Sequence, residues 1–226
     1  MATPLPVQMV ADRVKLYIED PAYDFSVGSG SSFVEGLMLE ALEEIASRVK
    51  LPGLKTVATV ETVAGQEFVQ IPRGYMEDRM RSVYSVTYSR PVALYPSLDF
   101  MLKDLGQGIL GRAGSVMGVA PEGDTLWLGR TPANPETLRV VYDRRPTLAD
   151  CGHSGNALIH PVARYVAYNL WDGSEDGMEV AKRNTQRHEV KFEELVEKLR
   201  IHYGPGDPRV PVEAHASVDW DAELGV

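Results

Sequence analysis

A glycine-rich segment near the middle of the chain has the spacing of a nucleotide-binding loop. Gly106, Gly108 and Gly111 match the pattern G-x-G-x-x-G, and Gly114 follows them. The dinucleotide motif requires a strand before the loop and a helix after it, so that the pyrophosphate meets the N-terminus of the helix. Here Ser97 is expected to cap a short helix that precedes the loop and ends at Gly106. Because this order is reversed, we predict a flexible glycine loop and no bound nucleotide.

Cys151, His153 and His160 are the one group of neighbouring residues whose side chains commonly bind metals. A structural zinc site requires four ligands, usually in two closely spaced pairs, and the sequence contains no second pair. We therefore predict a loop between a strand and a helix here, with no metal and no cofactor. Cys151 is the single cysteine, which excludes an intramolecular disulfide and fits a reducing cytoplasm.

No set of residues in the sequence has the pattern of a catalytic site. A nucleophile needs a base and an orienting group nearby, and neither G-x-S-x-G nor a recognisable cysteine–histidine pair occurs. The paired glutamates at 43–44 and 193–194 are predicted on polar helix faces, where solvated carboxylates are usual. Arg144 and Arg145 end a predicted strand, and they either pair with acidic groups across a subunit interface or project into solvent. We predict no catalytic residue, which favours a structural role.

The composition restricts the class of protein and its partners. The chain has 226 residues, of which 44% are hydrophobic and 24% charged, as in soluble globular proteins. The net charge of −9 opposes a grip on nucleic-acid phosphates, although DNA could still slide past such a surface. No apolar segment is long enough to span a membrane, and no signal peptide is recognisable. We therefore expect a protein made in and adapted to the cytoplasm.

Apolar residues recur at helical spacing toward both ends of the chain. We predict helices over residues 8–19, from Ser32 to Val49, from 156 or 160 to 171, and over 178–203. Ser32 with Glu35 has the spacing of a capping box. In the last helix we expect His188 and His202 at packing or interface positions, with buried apolar residues at Phe192, Leu195, Val196 and Leu199.

Alternating apolar and polar residues occupy the region between these helices, residues 54–148. Residues 56–63 and 67–72 flank a turn at 64–66 and are predicted to pair as an antiparallel hairpin. Further strands are predicted at 81–89, 115–119, 125–128 and from Thr137 onward, with turns at 121–124 and 132–135.

Helices on both sides of a β block predict an α+β fold. We expect residues 1–53 and 151–203 to form a helical bundle, residues 54–150 an inserted antiparallel β domain, and residues 204–226 an extended C-terminal tail.

The order and spacing of several segments carry a family resemblance. These are the second helix with Leu37, Leu42, Glu44 and Ile45, residues 62–69, Ile71 and Pro72 leading to Tyr75, residues 81–84, 94–96 and 124–128, Pro132 and Pro135, residues 144–146, and residues 165–168. Together they resemble the head–tail adaptor, or connector, proteins of tailed bacteriophages, in the group that includes the tail tubular protein A type. The resemblance covers residues 8–171 and weakens after them.

The resemblance implies a virion structural protein with no enzymatic activity. Proteins of this kind form a ring, usually dodecameric, beneath the portal of the capsid, where they seal the filled head, extend the DNA channel and present a platform to the tail. The implied partners are further copies, the portal protein and a downstream tail or nozzle protein, while DNA passes without specific binding. The implied location is the virion neck, after assembly in the host cytoplasm. The acidic composition fits such a passage.

Two other classes of protein remain open from the sequence alone. One is a different neck or tail component of the virion, such as a stopper or a tube protein. The other is a small α+β enzyme or ligand-binding domain whose site consists of scattered residues.

The candidate interface residues lie in three segments. We expect the glycine loop, with Gly106, Gly108, Gly111 and Gly114, at a subunit or tail-facing surface, because such connections tolerate ordering by a partner. Arg144 and Arg145 are candidates for contact with the portal or a neighbouring subunit.

The third segment is the C-terminal tail, which contains prolines and acidic residues but few apolar anchors and cannot fold alone. We predict that residues 210–226, with Val212 and Asp221 at the contact, dock on the portal or a neighbouring subunit and bury Trp220. The alternative is a solvated tail, since chain ends are usually mobile.

Overall fold

The computed structural model describes residues 6–22, 33–152, 156–175 and 183–206. These residues have a mixed α+β fold, as predicted. The predicted capping residue Ser32 and the candidate ligand His153 lie outside the described residues, as does the tail beyond Gly206 with Val212, Trp220 and Asp221.

The elements of the described residues, in chain order, are α1 (Pro6–Tyr17), α2 (Phe33–Arg48), a 3₁₀ turn (Pro52–Leu54), β1 (Lys55–Glu61), β2 (Phe68–Gln70), β3 (Tyr75–Ser85), β4 (Arg90–Leu94), α3 (Leu98–Leu105), β5 (Ala113–Gly114), β6 (Gly118–Glu122), β7 (Thr125–Leu128), β8 (Thr131–Pro132), β9 (Thr137–Arg144), a second 3₁₀ turn (Leu148–Gly152), α4 (Ile159–Glu175) and α5 (Arg183–Tyr203).

The chain divides into two compact units. The helical unit contains the described residues up to Leu54 and those from Arg145 to Gly206, while the β unit extends from Lys55 to Arg144.

In the helical unit, α4 packs against α1, α2 and α5. The apolar residues that recur at helical spacing in α2 form a buried apolar stripe, which consists of Val34, Leu37, Met38, Ala41, Leu42 and Ile45. On α5 the predicted buried positions are confirmed for His188, Phe192, Val196 and Leu199, whereas Leu195 is half-buried. The periodicity of 3.6 residues therefore identifies the buried helix faces correctly.

Arg48, the last residue of α2, links that helix to α5. Its guanidinium donates to both carboxylate oxygens of Glu193, at 2.8 and 2.7 Å, and also pairs with Glu44 one turn earlier in α2. The three side chains are exposed, as expected for a polar face. Each ion pair therefore contributes at most about 1 kcal/mol to the free energy of unfolding.

The segment after α5 returns to the end of α2. Gly204 accepts a backbone hydrogen bond from Lys50, and the Gly206 N–H donates to the Arg48 carbonyl at 2.8 Å. A Cβ atom on Gly206 would lie 2.8 Å from the backbone carbon of Arg48, so a larger residue does not fit here. Residues 204–206 are therefore part of the helical unit.

Within the described residues, the β unit contains a seven-stranded sheet in the order β1-β9-β3-β4-β6-β7-β2 and a small β5-β8 pair. The prediction of an antiparallel domain is correct for most strand pairs, but β4 pairs with β6 and β5 with β8 in parallel. A parallel pair needs a long crossover connection. The segment from Leu94 to Gly118, which contains α3 and the glycine loop, provides it for β4 and β6.

The predicted hairpin between residues 56–63 and 67–72 is also wrong. β1 pairs with β9 and β2 pairs with β7, which places the two strands at opposite ends of the sheet order. The connecting residues bond to other segments: the Thr62 N–H donates to the Glu136 carbonyl, and the Gly65 N–H to the Pro132 carbonyl. Alternation identifies a strand and its buried face, but it does not identify the neighbouring strand.

The third strand starts earlier than predicted and also ends earlier. It runs from Tyr75 to Ser85, and residues 86–89 form the turn to β4. Register shifts interrupt its pairing with β9 between Tyr75 and Ser82, and Asp78 has a φ of 59°. Such a bulge breaks the alternation of side chains, so a periodic pattern cannot show that the strand continues through it.

Two local predictions in the β unit are confirmed. Ser97 caps α3 and accepts a hydrogen bond from the Phe100 N–H, and Gly106 ends the helix with a φ of 91°. β6 and β7 form the predicted hairpin, with Gly123 in its turn at a φ of 57°. Both predictions depend on short-range backbone chemistry.

The core of the β unit is a cluster of apolar side chains from most of its strands. It includes Val69, Ile71, Val83, Val92, Val119, Leu126, Leu128, Leu138 and Val140.

Gly118 provides a stability test of this packing. A Cβ atom at this position would lie 2.6 Å from Cε2 of Tyr95, whose hydroxyl donates to Asp104 at 2.6 Å. We expect Gly118→Ala to lower the free energy of unfolding by about 1–3 kcal/mol, because the tyrosine ring must move. Denaturant titration measures this change.

Gly36→Ala is the matched control, because a Cβ atom added at this position in α2 would meet nothing within 4 Å among the residues that the structure describes. There the substitution should raise the free energy of unfolding by about 0.5–1 kcal/mol. A Gly118→Ala variant as stable as the unmodified chain would contradict the packing described at Tyr95.

Candidate interaction surfaces

The glycine loop lies between α3 and β5, so a helix precedes it and a strand follows it. This order confirms that the strand–loop–helix context of a dinucleotide site is absent from residues 98–114. Alanine fits sterically at Gly108 and Gly111, since a Cβ atom added at either residue would meet no other described residue within 4 Å. The packing of the chain itself therefore does not require glycine at these two positions.

The loop is held against the segment around Thr131. The Thr131 N–H donates to the Arg112 carbonyl at 3.0 Å, and its hydroxyl donates to the Leu110 carbonyl. Gly114 pairs with Pro132 in the small parallel β5–β8 ladder. The glycine loop and the predicted turn at residues 132–135 are thus adjacent, which the sequence does not reveal.

Two of the three candidate metal-binding residues, Cys151 and His160, lie within the described residues. Cys151 is fully buried, and burial, with a smaller contribution from Asp150, raises the pKa of its thiol to about 12. A protonated thiol is neither a good ligand nor a nucleophile. His160 lies on α4, and no group of three metal-binding side chains occurs in the part of the chain that the structure describes.

Arg144 and Arg145 lie where the chain leaves the sheet. Arg144 is the last residue of β9, half-buried and opposite Tyr75, whereas Arg145 is exposed. Both already make interactions within the chain. Another protein that contacts these two arginines would therefore either replace their present partners within the chain or bind in addition to them.

A part-buried ion pair that no sequence pattern indicates lies next to them. Arg81 donates to both carboxylate oxygens of Asp143, at 2.8 Å from Nε and 2.7 Å from Nη2, and the aspartate side chain is 9% exposed. The residues are 62 positions apart, so no local pattern predicts the pair. It joins β3 to β9 through a bidentate geometry, the strongest form of arginine–carboxylate contact.

Glu136 is the second buried group that the sequence analysis misses. Its side chain is 1% exposed, and its Oε1 accepts a hydrogen bond from the Val116 N–H at 2.9 Å. Its backbone N–H donates to the Thr62 hydroxyl at 2.8 Å, and its carbonyl accepts from the Thr62 N–H at 2.8 Å. The residue therefore fastens the segment before β6, the end of β1 and the start of β9 together.

Tyr17, His160, Arg164 and His188 form a polar cluster between α1, α4 and α5. The Tyr17 hydroxyl lies 2.8 Å from Nδ1 of His160, and the Arg164 guanidinium lies 3.6 Å from the centre of the Tyr17 ring. Arg164 also donates to Nδ1 of the buried His188 at 2.8 Å. The predicted packing role of His188 is confirmed, whereas His202 is exposed near the end of α5.

Large apolar side chains are exposed at the turn between β3 and β4. Tyr84, Val86 and Tyr88 are 38%, 39% and 46% exposed, and we call these three residues the hairpin surface. The turn is anchored, because the buried Ser85 hydroxyl accepts from the Tyr88 N–H and the Thr87 hydroxyl from the Thr137 N–H. Preorganised aromatic side chains are typical of protein interfaces.

No helix in the described part of the chain is both long and apolar enough to cross a membrane.

The polar cluster makes the stability of the helical unit depend on pH. Burial lowers the pKa of His160 from its ordinary value near 6.5, and the charges of Arg13 and Arg164 lower it further. The folded state therefore binds fewer protons than the unfolded state. The stability that neutral His160 gives the folded state is fully present above about pH 6.5. It is lost as the pH falls toward the pKa of His160 in the folded state.

We expect the free energy of unfolding to fall between pH 7 and pH 5, and we expect part of that fall to disappear in His160→Gln. Denaturant titrations of both proteins across this range measure the difference. Identical pH dependence in the two proteins would exclude His160 as the titrating group.

Comparison with known protein families connects this geometry to a function. The family described as SU10 adaptor protein matches residues 7–211, which include elements of both units and extend through α5. No curated protein matches the chain. The chain therefore belongs to the SU10 adaptor protein family, which confirms the resemblance to phage head–tail adaptors.

Proposed function

We propose that this protein is a virion structural protein that forms a ring beneath the portal, extends the DNA channel and provides the platform for tail attachment. The observation that carries the proposal is the family match over residues 7–211, which spans both units. An adaptor acts through assembly, so its working residues lie at contacts with other subunits. We assign it no catalytic residue, cofactor or metal.

The proposed ring consists of copies of this chain and is dodecameric. A closed ring requires a heterologous contact, in which two different surfaces of the subunit meet. The hairpin surface supports one side of this contact, because its aromatic side chains are exposed and held by an anchored turn. The glycine loop, from Gly106 to Gly114, is proposed to face a neighbouring subunit or the tail.

The proposed portal contact involves Arg144, Arg145 and the C-terminal segment. Val212, Trp220 and Asp221 belong to that segment, in which an aromatic anchor stands beside acidic residues. This chemistry suits a groove with an apolar pocket and a basic rim. A downstream tail or nozzle protein would bind the opposite end of the ring.

The net charge of −9 supports a channel through which DNA passes without specific binding. Phosphate groups are attracted by clustered Lys and Arg, and a surface with excess carboxylates repels them. Such a lining would allow DNA to leave the head without adhering to the neck.

Portal binding tests the proposal, and truncation tests the role of the tail. The truncation belongs after Gly206, since residues 204–206 bond to the end of α2 and their removal would disturb the helical unit. Sedimentation velocity with purified portal should show the full chain bound to it. The shortened chain should retain its helicity and unfolding transition but bind portal at least about tenfold more weakly, as expected when an interface anchor is lost.

Trp220→Ala in the full chain is the matched control that isolates the aromatic anchor. Undiminished binding by the shortened chain would leave the tail without a role in attachment. A full chain that does not bind portal at saturating concentration would contradict the adaptor role. Binding to an isolated tail component alone would instead indicate a stopper or tube protein.

A further inference from the structure

The β1 strand forms one edge of the seven-stranded sheet. Among the described strands it pairs with β9 alone, in a continuous register from Lys55 opposite Asp143 to Glu61 opposite Thr137. Beyond this ladder, the Thr62 N–H donates to the carbonyl of Glu136. One long side of the strand therefore has no neighbouring strand in the described sheet.

The hydrogen-bond pattern shows which residues of β1 face this open side. The Thr62 N–H donates to the Glu136 carbonyl, and backbone groups alternate in direction along a strand, so the even-numbered residues of β1 direct theirs toward β9. The odd-numbered residues Lys55, Val57, Thr59 and Glu61 direct theirs outward. The side chains of the same four residues are exposed, and Val57 is 57% exposed.

This edge lacks three of the features that usually prevent strands from associating, although it carries the charged residues Lys55 and Glu61. Natural edge strands are commonly short, bulged or interrupted by proline. The opposite edge, β2, has three residues, whereas β1 has seven, contains no proline and keeps one register throughout. A long regular edge with a β-branched centre is a template for another strand.

The sequence of the edge is complementary to itself. If two β1 strands pair antiparallel about Ala58, Lys55 faces Glu61 of the second copy, and Val57 faces its Thr59. Each residue whose backbone groups point outward then lies opposite such a residue of the second copy. The outward N–H and C=O groups of the two strands can therefore hydrogen-bond to each other. A shift of the register in either direction separates Lys55 from Glu61. In the subunit described here, the Glu61 carboxylate accepts from the Thr137 hydroxyl of β9 at 2.9 and 3.0 Å, so it must turn outward to meet Lys55 of the second copy.

We propose that two copies of this chain associate through their β1 edges, in an antiparallel pair centred on Ala58. The contact is isologous, so the ion pair and the Val57–Thr59 pair each occur twice. It differs from the heterologous contacts of a ring and belongs to the free subunit before assembly. The dimer would cover the edge until the ring forms, and its presence or absence leaves the proposed adaptor role untouched.

Charge exchange at the two ends of the strand tests the register. Sedimentation velocity of the full chain over a concentration series measures the dissociation constant of the dimer. Lys55→Glu places two carboxylates opposite each other at both ends of the contact, and Glu61→Lys places two ammonium groups there. Each substitution should raise the dissociation constant about tenfold, because opposed like charges destabilise strand pairs. The double variant Lys55→Glu/Glu61→Lys should restore it.

Lys103→Glu is the matched control, since it makes the same charge change at an exposed position on α3 and should leave the dimer intact. Thr59→Pro removes an outward N–H without breaking a bond to β9, so it should abolish the dimer while the unfolding transition is retained. A chain that stays monomeric at all concentrations would overturn the proposal. So would a dimer that Thr59→Pro leaves unchanged, or a double variant that does not recover.

Discussion

The β unit depends on the position of β9, which comes last in its sequence but lies between β1 and β3 in the sheet. The sheet cannot close until the chain has passed through all the intervening elements. Buried polar groups fix both ends of this strand: Glu136 bonds to Thr62 and Val116 at its start, and Asp143 pairs with Arg81 at its end. Loss of Arg81 would leave the nearly buried Asp143 carboxylate without its partner, which is destabilising.

Local features of the fold could be predicted from the sequence, whereas pairings between distant segments could not. The apolar stripe of α2, the cap of α3 at Ser97 and the β6–β7 turn depend on neighbouring residues, and all three are confirmed. The partner of β1 is about 80 residues away in sequence, a separation at which alternation carries no information. The first part of β3 could not be predicted for a related reason. The bulge disrupts the alternation of apolar and polar residues by which a strand is recognised in a sequence.

The candidate contacts were harder to predict than the fold, since an interface is complementary to a molecule that the sequence does not contain. The structure brings the glycine loop against residues 131–132, and it shows that Arg144 and Arg145 already interact within the chain. The hairpin surface follows from a turn at residues 86–89, where the sequence analysis predicts a continuing strand. Family membership identifies the chain as a phage adaptor protein, which geometry alone does not show.

Cryo-electron microscopy of the neck of the phage particle tests the adaptor role most directly. The account predicts a ring of density on the tail side of the portal into which the helical unit and the β unit fit as separate bodies, with the same chain repeated around the DNA channel. Density for this chain in the tail tube or the capsid shell, or a portal joined to the tail without it, would contradict the account.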